Sequence, residues 1–134
     1  MKNILVAATP SAFKTMRSAL ENRFSLTHCF NLDAARAALD DAPVDLILCC
    51  THFDESRMFD LLRYVKMQPA LHRIPFMCAK IVEDEVSATY LQGVEIAARA
   101  LGADSFIDFS HWKRIQGEQL AFDELTRTIH KLLG

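Results

Sequence analysis

Five short segments alternate with stretches of helical spacing along the whole chain, and this constrains the fold more than any other feature. The segments are Ile4–Ala8, Phe24–Cys29, Val44–Cys50, Ile74–Ala79 and Ser105–Phe109. Leu46-Ile47-Leu48-Cys49-Cys50 has no polar atom beyond its thiols. Such a strand needs cover on both faces, as in a parallel sheet with helices above and below. Parallel neighbours cannot be joined by a tight hairpin and require a long crossover. The alternation therefore predicts an α/β fold, (βα)5, a doubly wound parallel five-stranded sheet in one domain over 1–134.

The connecting segments carry their own punctuation. Thr9-Pro10-Ser11 ends the first run, with Ser11 expected as N-cap of a helix that buries Phe13, Met16 and Leu20. Asn31 is expected to cap a helix lined by Ala34, Ala35, Ala38 and Leu39, ended by Asp41-Ala42-Pro43. Met58, Leu61, Leu62 and Val65 mark the third helix. A long fourth helix is expected from about Glu85 to Leu101, with Tyr90, Val94, Ala97 and Leu101 on the sheet and Gly102 as its C′ residue. His111-Trp112-Lys113-Arg114 reads as a polar loop with Trp112 folded inward, before a last helix bearing Phe122, Leu125, Ile129 and Leu132. In open sheets of this kind a site forms outside the carboxyl ends of the strands. Those ends are Ala8-Thr9, Cys50-Thr51-His52, Lys80 and Phe109-Ser110.

Composition excludes several classes. Fifteen basic residues stand against 17 acidic ones, for a net charge of −2. That leaves no basic excess for a phosphate backbone, so no nucleic-acid partner is expected. The apolar runs are about a quarter of the roughly 20 residues that a spanning helix needs, so no membrane segment is expected. The start carries no export signal, which makes the expected location cytoplasmic and the four cysteines free thiols. No C-x-x-C pair, glycine-rich phosphate loop, H-E-x-x-H or Ser/His/Asp order occurs. No metal, cofactor or catalytic constellation is therefore expected, and the chain is not read as an enzyme.

Two readings of the thiols stay open. Cys49 and Cys50 are adjacent on a strand and point to opposite faces, which suits two small buried hydrophobes. Alternatively, Cys50 is a reactive thiol activated by the nearby Lys80, the centre of a redox sensor. A zinc set of Cys50, His52 and Cys78 would still need a fourth ligand.

Val44-Asp45-Leu46-Ile47-Leu48-Cys49, Ile74-Pro75 and Ala100-Leu101-Gly102-Ala103-Asp104-Ser105-Phe106-Ile107 fall in order on the third, fourth and fifth strands. In these motifs the chain resembles the receiver domain of bacterial response regulators, the CheY-like branch of the flavodoxin-like folds. The resemblance covers essentially the whole chain and implies strand order 2-1-3-4-5. It also implies phosphorylation of an aspartate aided by Mg²⁺, and it assigns positions to that chemistry. The acidic Mg²⁺ pair falls on Ala8 and Thr9, the phosphoacceptor on Cys50, the Ser/Thr on Lys80 and the conserved lysine on Phe109. None of the five keeps the required residue. Mg²⁺ favours hard oxygen ligands, including carboxylates; Ala8 offers none, and Lys80 would repel the ion. The resemblance thus implies a pseudo-receiver without the phosphoacceptor.

The interval from Lys80 to Phe109 is also longer than in that family, with extra residues between Ile81 and Leu101, including Glu83-Asp84-Glu85. The acidic run reads as a solvated helix start. With the sheet covered by the stripe given above, Leu91, Ala98 and Ile96 are left facing sideways or outward. Together with Phe106 and the last helix they are expected to form an interaction face. It would serve a protein partner in a signalling pathway or a two-fold homodimer through the fourth helix, fifth strand and fifth helix.

Overall fold

All five residues of β3 (Leu46–Cys50) are buried, and the rest of the molecule is organised around that strand. The computed structural model describes residues 1–134. β1 (Asn3–Ala7) lies beside β3 and carries β2 (Ser25–Cys29) on its other edge. β4 (Phe76–Lys80) and β5 (Ser105–Asp108) continue the sheet on the far side of β3. All pairings are parallel and the order is β2-β1-β3-β4-β5, as expected.

The side-chain period of two splits each central strand between two apolar layers. Leu46, Leu48 and Cys50 face one layer, while Ile47 and Cys49 face the other. The first layer is closed by α1 (Pro10–Leu20), α6 (Phe109–Gln116) and α7 (Glu118–Leu133), through Met16, Leu20, Phe109, Leu125 and Ile129. The second is closed by α2 (Leu32–Asp41), the short turn α3 (Phe53–Ser56), α4 (Met58–Met67) and α5 (Ala88–Ala100). No helix is long and apolar enough to cross a membrane.

Several local expectations are corrected. Thr9, not Ser11, caps α1: its hydroxyl accepts from Ala12 N at 3.3 Å, and Pro10 occupies the first turn, where a missing N–H costs nothing. Asn31 caps α2 as expected, accepting from Ala34 N at 2.7 Å. The stretch His111–Arg114 is not a loop. It lies in α6, which starts at the end of β5 because Asp108 Oδ1 accepts from His111 N at 3.0 Å. Trp112 does turn inward, against the first layer. The fourth predicted helix is α5, and it begins later than expected, after the Ser87 cap. The acidic run Glu83–Glu85 is therefore loop rather than helix. Gly102, at φ +105°, ends α5 as expected; Ala103 N bonds back to Ala98 O at 3.0 Å, and a Cβ on Gly102 would press on Lys66 Cγ at 3.3 Å.

Candidate functional site

Lys80 is the last residue of β4 and only 5% exposed. A buried ammonium is expensive unless each proton finds a partner. Nζ donates to Ser110 Oγ at 2.8 Å and to Val82 O at 3.1 Å, and lies 3.4 Å from Asp84 Oδ1. Ser110 in turn donates to Asp108 Oδ1 at 2.7 Å. On the other side, Asp84 Oδ2 lies 2.7 Å from His52 Nε2, and Asp84 Oδ1 also accepts from Val86 N at 3.2 Å. Five side chains from the ends of β3, β4 and β5 thus form one polar chain at the carboxyl edge of the sheet. Burial alone would raise the Asp84 pKa. The bonds from His52 and Val86 and the charge on Lys80 outweigh it and hold the carboxyl below its ordinary value.

Beside this chain lies a cavity of about 220 Å³ between the β3–α3 connection and α5. Its lining mixes polar residues (Thr51, His52, Ser56, Lys80 and Asp84, with His52 and Lys80 both in contact with Asp84) and apolar ones, including Met58, Phe59, Leu91 and Val94. The floor of the connection is unusual. Asp54, Glu55 and Ser56 have φ of 45°, 56° and 68°, three successive left-handed residues without a glycine. Such backbone costs free energy and persists only where its surroundings hold it. Here Asp54 Oδ2 accepts from Leu32 N at 2.9 Å, tying the turn to the start of α2.

The remaining residues at the ends of β1, β3 and β5 are apolar and buried. Ala8 is fully buried, and its carbonyl bonds His28 Nε2 at 2.9 Å. Cys50 is 2% exposed. Phe109, the first residue of α6, is fully buried and stacks on Phe122 with centroids 6.0 Å apart. Ala8, Cys50 and Phe109 all belong to the first apolar layer.

No protein-family model and no curated protein matches the sequence. Solved structures do match. A receiver domain of a signal transduction histidine kinase from Syntrophus aciditrophicus aligns over 99% of this chain and 90% of its own, with TM-score 0.72 and 23% identity. The receiver domain of a sensor histidine kinase from Pseudomonas aeruginosa, with a magnesium ion coordinated in its active-site cleft, aligns over 99% and 98%, with TM-score 0.74 and 17% identity. A chemotaxis response regulator of Vibrio cholerae aligns over 95% and 98%, with TM-score 0.67 and 16% identity.

The fold is that of a response-regulator receiver domain. Of the five positions that the resemblance assigns to phosphoryl chemistry, Ala8, Cys50 and Phe109 lie in an apolar layer of this receiver fold. Thr9 spends its hydroxyl on capping α1. Lys80 is the one charged residue of the five, and it is held by Ser110, Val82 and Asp84.

The reactive-thiol expectation for Cys50 finds no support in this setting. Burial pushes its thiol well above the usual range, and the neighbouring Cys78 adds to the shift. Cys78 is itself pushed up to about 12, chiefly by burial. The proposed zinc set fails on geometry. Cys50 faces the first layer and Cys78 the second, so the sheet separates them. No group of three or more His, Cys, Asp or Glu side chains is placed to hold a metal ion.

The expected interaction face is rotated. Ala98 is fully buried, Leu91 and Val94 are half-buried, and Phe106 packs against the second layer beneath α5. Ile96 faces outward as expected, 62% exposed, and Tyr90, expected on the sheet, faces outward as well, 64% exposed, with Ala97 beside it. Of the expected α5 residues only Ile96 stays open, and Tyr90 and Ala97 take the places of Leu91 and Ala98. Sequence reasoning also missed Asp84 and His52 as partners at the strand ends. The available signal was the spacing of Lys80 and Asp84, four residues apart, next to a strand too apolar to leave a lysine unpaired.

Proposed function

We propose that this chain is a protein-interaction module of a signalling pathway, built on the receiver scaffold and working without Mg²⁺ or phosphorylation. One observation carries the reading: Ala8, Cys50 and Phe109 fill the ends of β1, β3 and β5 with apolar packing. A thiol whose pKa is raised by burial is a poor nucleophile, and no carboxylate stands among these three residues to bind a hard cation. The test is incubation with acetyl phosphate and millimolar Mg²⁺, followed by intact mass. An unchanged mass is expected. A base-labile gain of one phosphoryl group mapped to the strand ends would make the chain an atypical response regulator.

The surface offered to partners is the outer stripe of α5, where Tyr90 and Ile96 stand exposed. A second copy of the chain is one partner such a stripe can take, by a two-fold contact through α5, β5 and α7. Sedimentation at tens of micromolar checks this. A dimer dispersed by Ile96→Glu supports that contact, and a clean monomer removes it.

A further inference from the structure

We propose that the cavity between the β3–α3 connection and α5 binds a small amphipathic carboxylate, whose acid group takes the place of Asp84 between Lys80 and His52. This is independent of whether the chain is ever phosphorylated.

The cavity has two kinds of lining. Met58, Phe59, Leu91 and Val94 supply apolar surface, and the Lys80 ammonium and the His52 ring, brought together by Asp84, supply donors. Pockets with apolar walls and a few convergent polar groups are the usual form of small-molecule sites. Size limits the occupant. A cavity of about 150 Å³ in another protein takes benzene, so about 220 Å³ holds one ring or short chain with an acidic arm.

Charge selects the head group. Lys80 would repel a cation, and a neutral head would leave its charge in the competition unmatched. The chain itself demonstrates that a carboxylate fits: Asp84 places one oxygen 3.4 Å from Lys80 Nζ and the other 2.7 Å from His52 Nε2. Asp84 comes from the stretch 81–87, which lies outside any helix or strand and leads into the Ser87 cap of α5. An incoming carboxylate can therefore exchange with it while β4 and α5 keep their own hydrogen bonds. The displaced Asp84 carboxylate returns to water, and the loop before the exposed stripe of α5 is released. Ligand capture would in this way reach the surface offered to partners.

The experiment is titration of the full chain with phenylacetate and, in parallel, with its neutral analogue phenylacetamide, following backbone amide shifts. Phenylacetate is expected to shift the amides of residues 51–56 and 81–94, and to bind at least about tenfold more tightly than the amide, the worth of one charge-assisted hydrogen bond. Lys80→Met should abolish binding. Asp84→Asn, which removes the competing charge, should tighten it several-fold, whereas a merely structural Asp84 would give weaker binding. Leu91→Trp fills the apolar part of the cavity without touching the ion pair and should also abolish binding, which keeps the test decisive if Lys80→Met does not fold. The proposal is overturned by no saturable shifts, by equal affinity for acid and amide, by shifts mapping elsewhere, or by weaker binding to Asp84→Asn.

Discussion

Lys80 and Asp84 form an ion pair of 3.4 Å between the end of a buried strand and the loop that follows it, with 7% of the lysine and 24% of the aspartate side chain exposed. The asymmetry has an energetic meaning. Removing the carboxylate strands a charge that cannot reach water, while removing the lysine leaves an aspartate that still has His52 and Val86.

Asp84→Asn should therefore lower stability by about 2 kcal/mol, below the full cost of breaking a buried pair because Asp84 is partly solvated. Urea midpoints at neutral pH check the value. The pH dependence follows from the direction of the shift. A carboxyl held below its ordinary pKa adds stability that is complete above the unfolded value, about 3.9, and is lost as pH falls through the folded value. The acid limb of the stability curve below about pH 4 should be shallower in Asp84→Asn than in the parent.

The four thiols should behave as one class. Cys29, Cys49, Cys50 and Cys78 are all buried, and burial raises each of them. At pH 8 the native protein should react with a thiol reagent far more slowly than the urea-unfolded chain. Stability should also fall as pH rises above about 8.5, where unfolded thiols ionise and native ones do not. Rapid modification of Cys50 in the native state would revive the thiol-sensor reading.

On α5 the two sides should respond oppositely. Ile96→Glu, on the exposed side, should change stability by no more than about 0.5 kcal/mol. Ala98→Leu, on the fully buried side, should cost about 1–3 kcal/mol through overpacking. Thermal melts of the two variants separate these outcomes.

The left-handed turn makes a further pair. Glu55→Gly should stabilise by about 0.5 kcal/mol, because glycine adopts φ near 56° without a steric penalty. Asp54→Ala should destabilise by about 1 kcal/mol, since it leaves Leu32 N without its carboxylate partner. Denaturant midpoints again decide.

The sheet was readable because β1, β3 and β4 are apolar on both faces, a pattern that admits few alternatives. The face of α5 was not, and the reason lies in its composition. Tyr90, Leu91, Val94, Ile96, Ala97 and Ala98 surround the helix, so both 90-94-97-101 and 91-94-98-101 satisfy a helical period. Only packing against β5 selects the second. α6 was missed because it is short and polar, and its start rests on a single Asp108 cap. The site was half legible. Its place at the strand ends followed from topology, and Lys80 was named. Asp84 was hidden in an acidic run that looks solvated until the lysine four residues earlier is known to point inside.

The packing of Ala8, Cys50 and Phe109 also limits which substitutions the chain can accept. A carboxylate introduced at position 50 alone would enter an apolar layer without a cation or donor to receive it, at a cost comparable to a large part of a domain's stability. The apolar strand ends are therefore held in place by the requirement to fold: a lone Cys50→Asp change would have to pass through a poorly folded chain before any new chemistry at that position could appear.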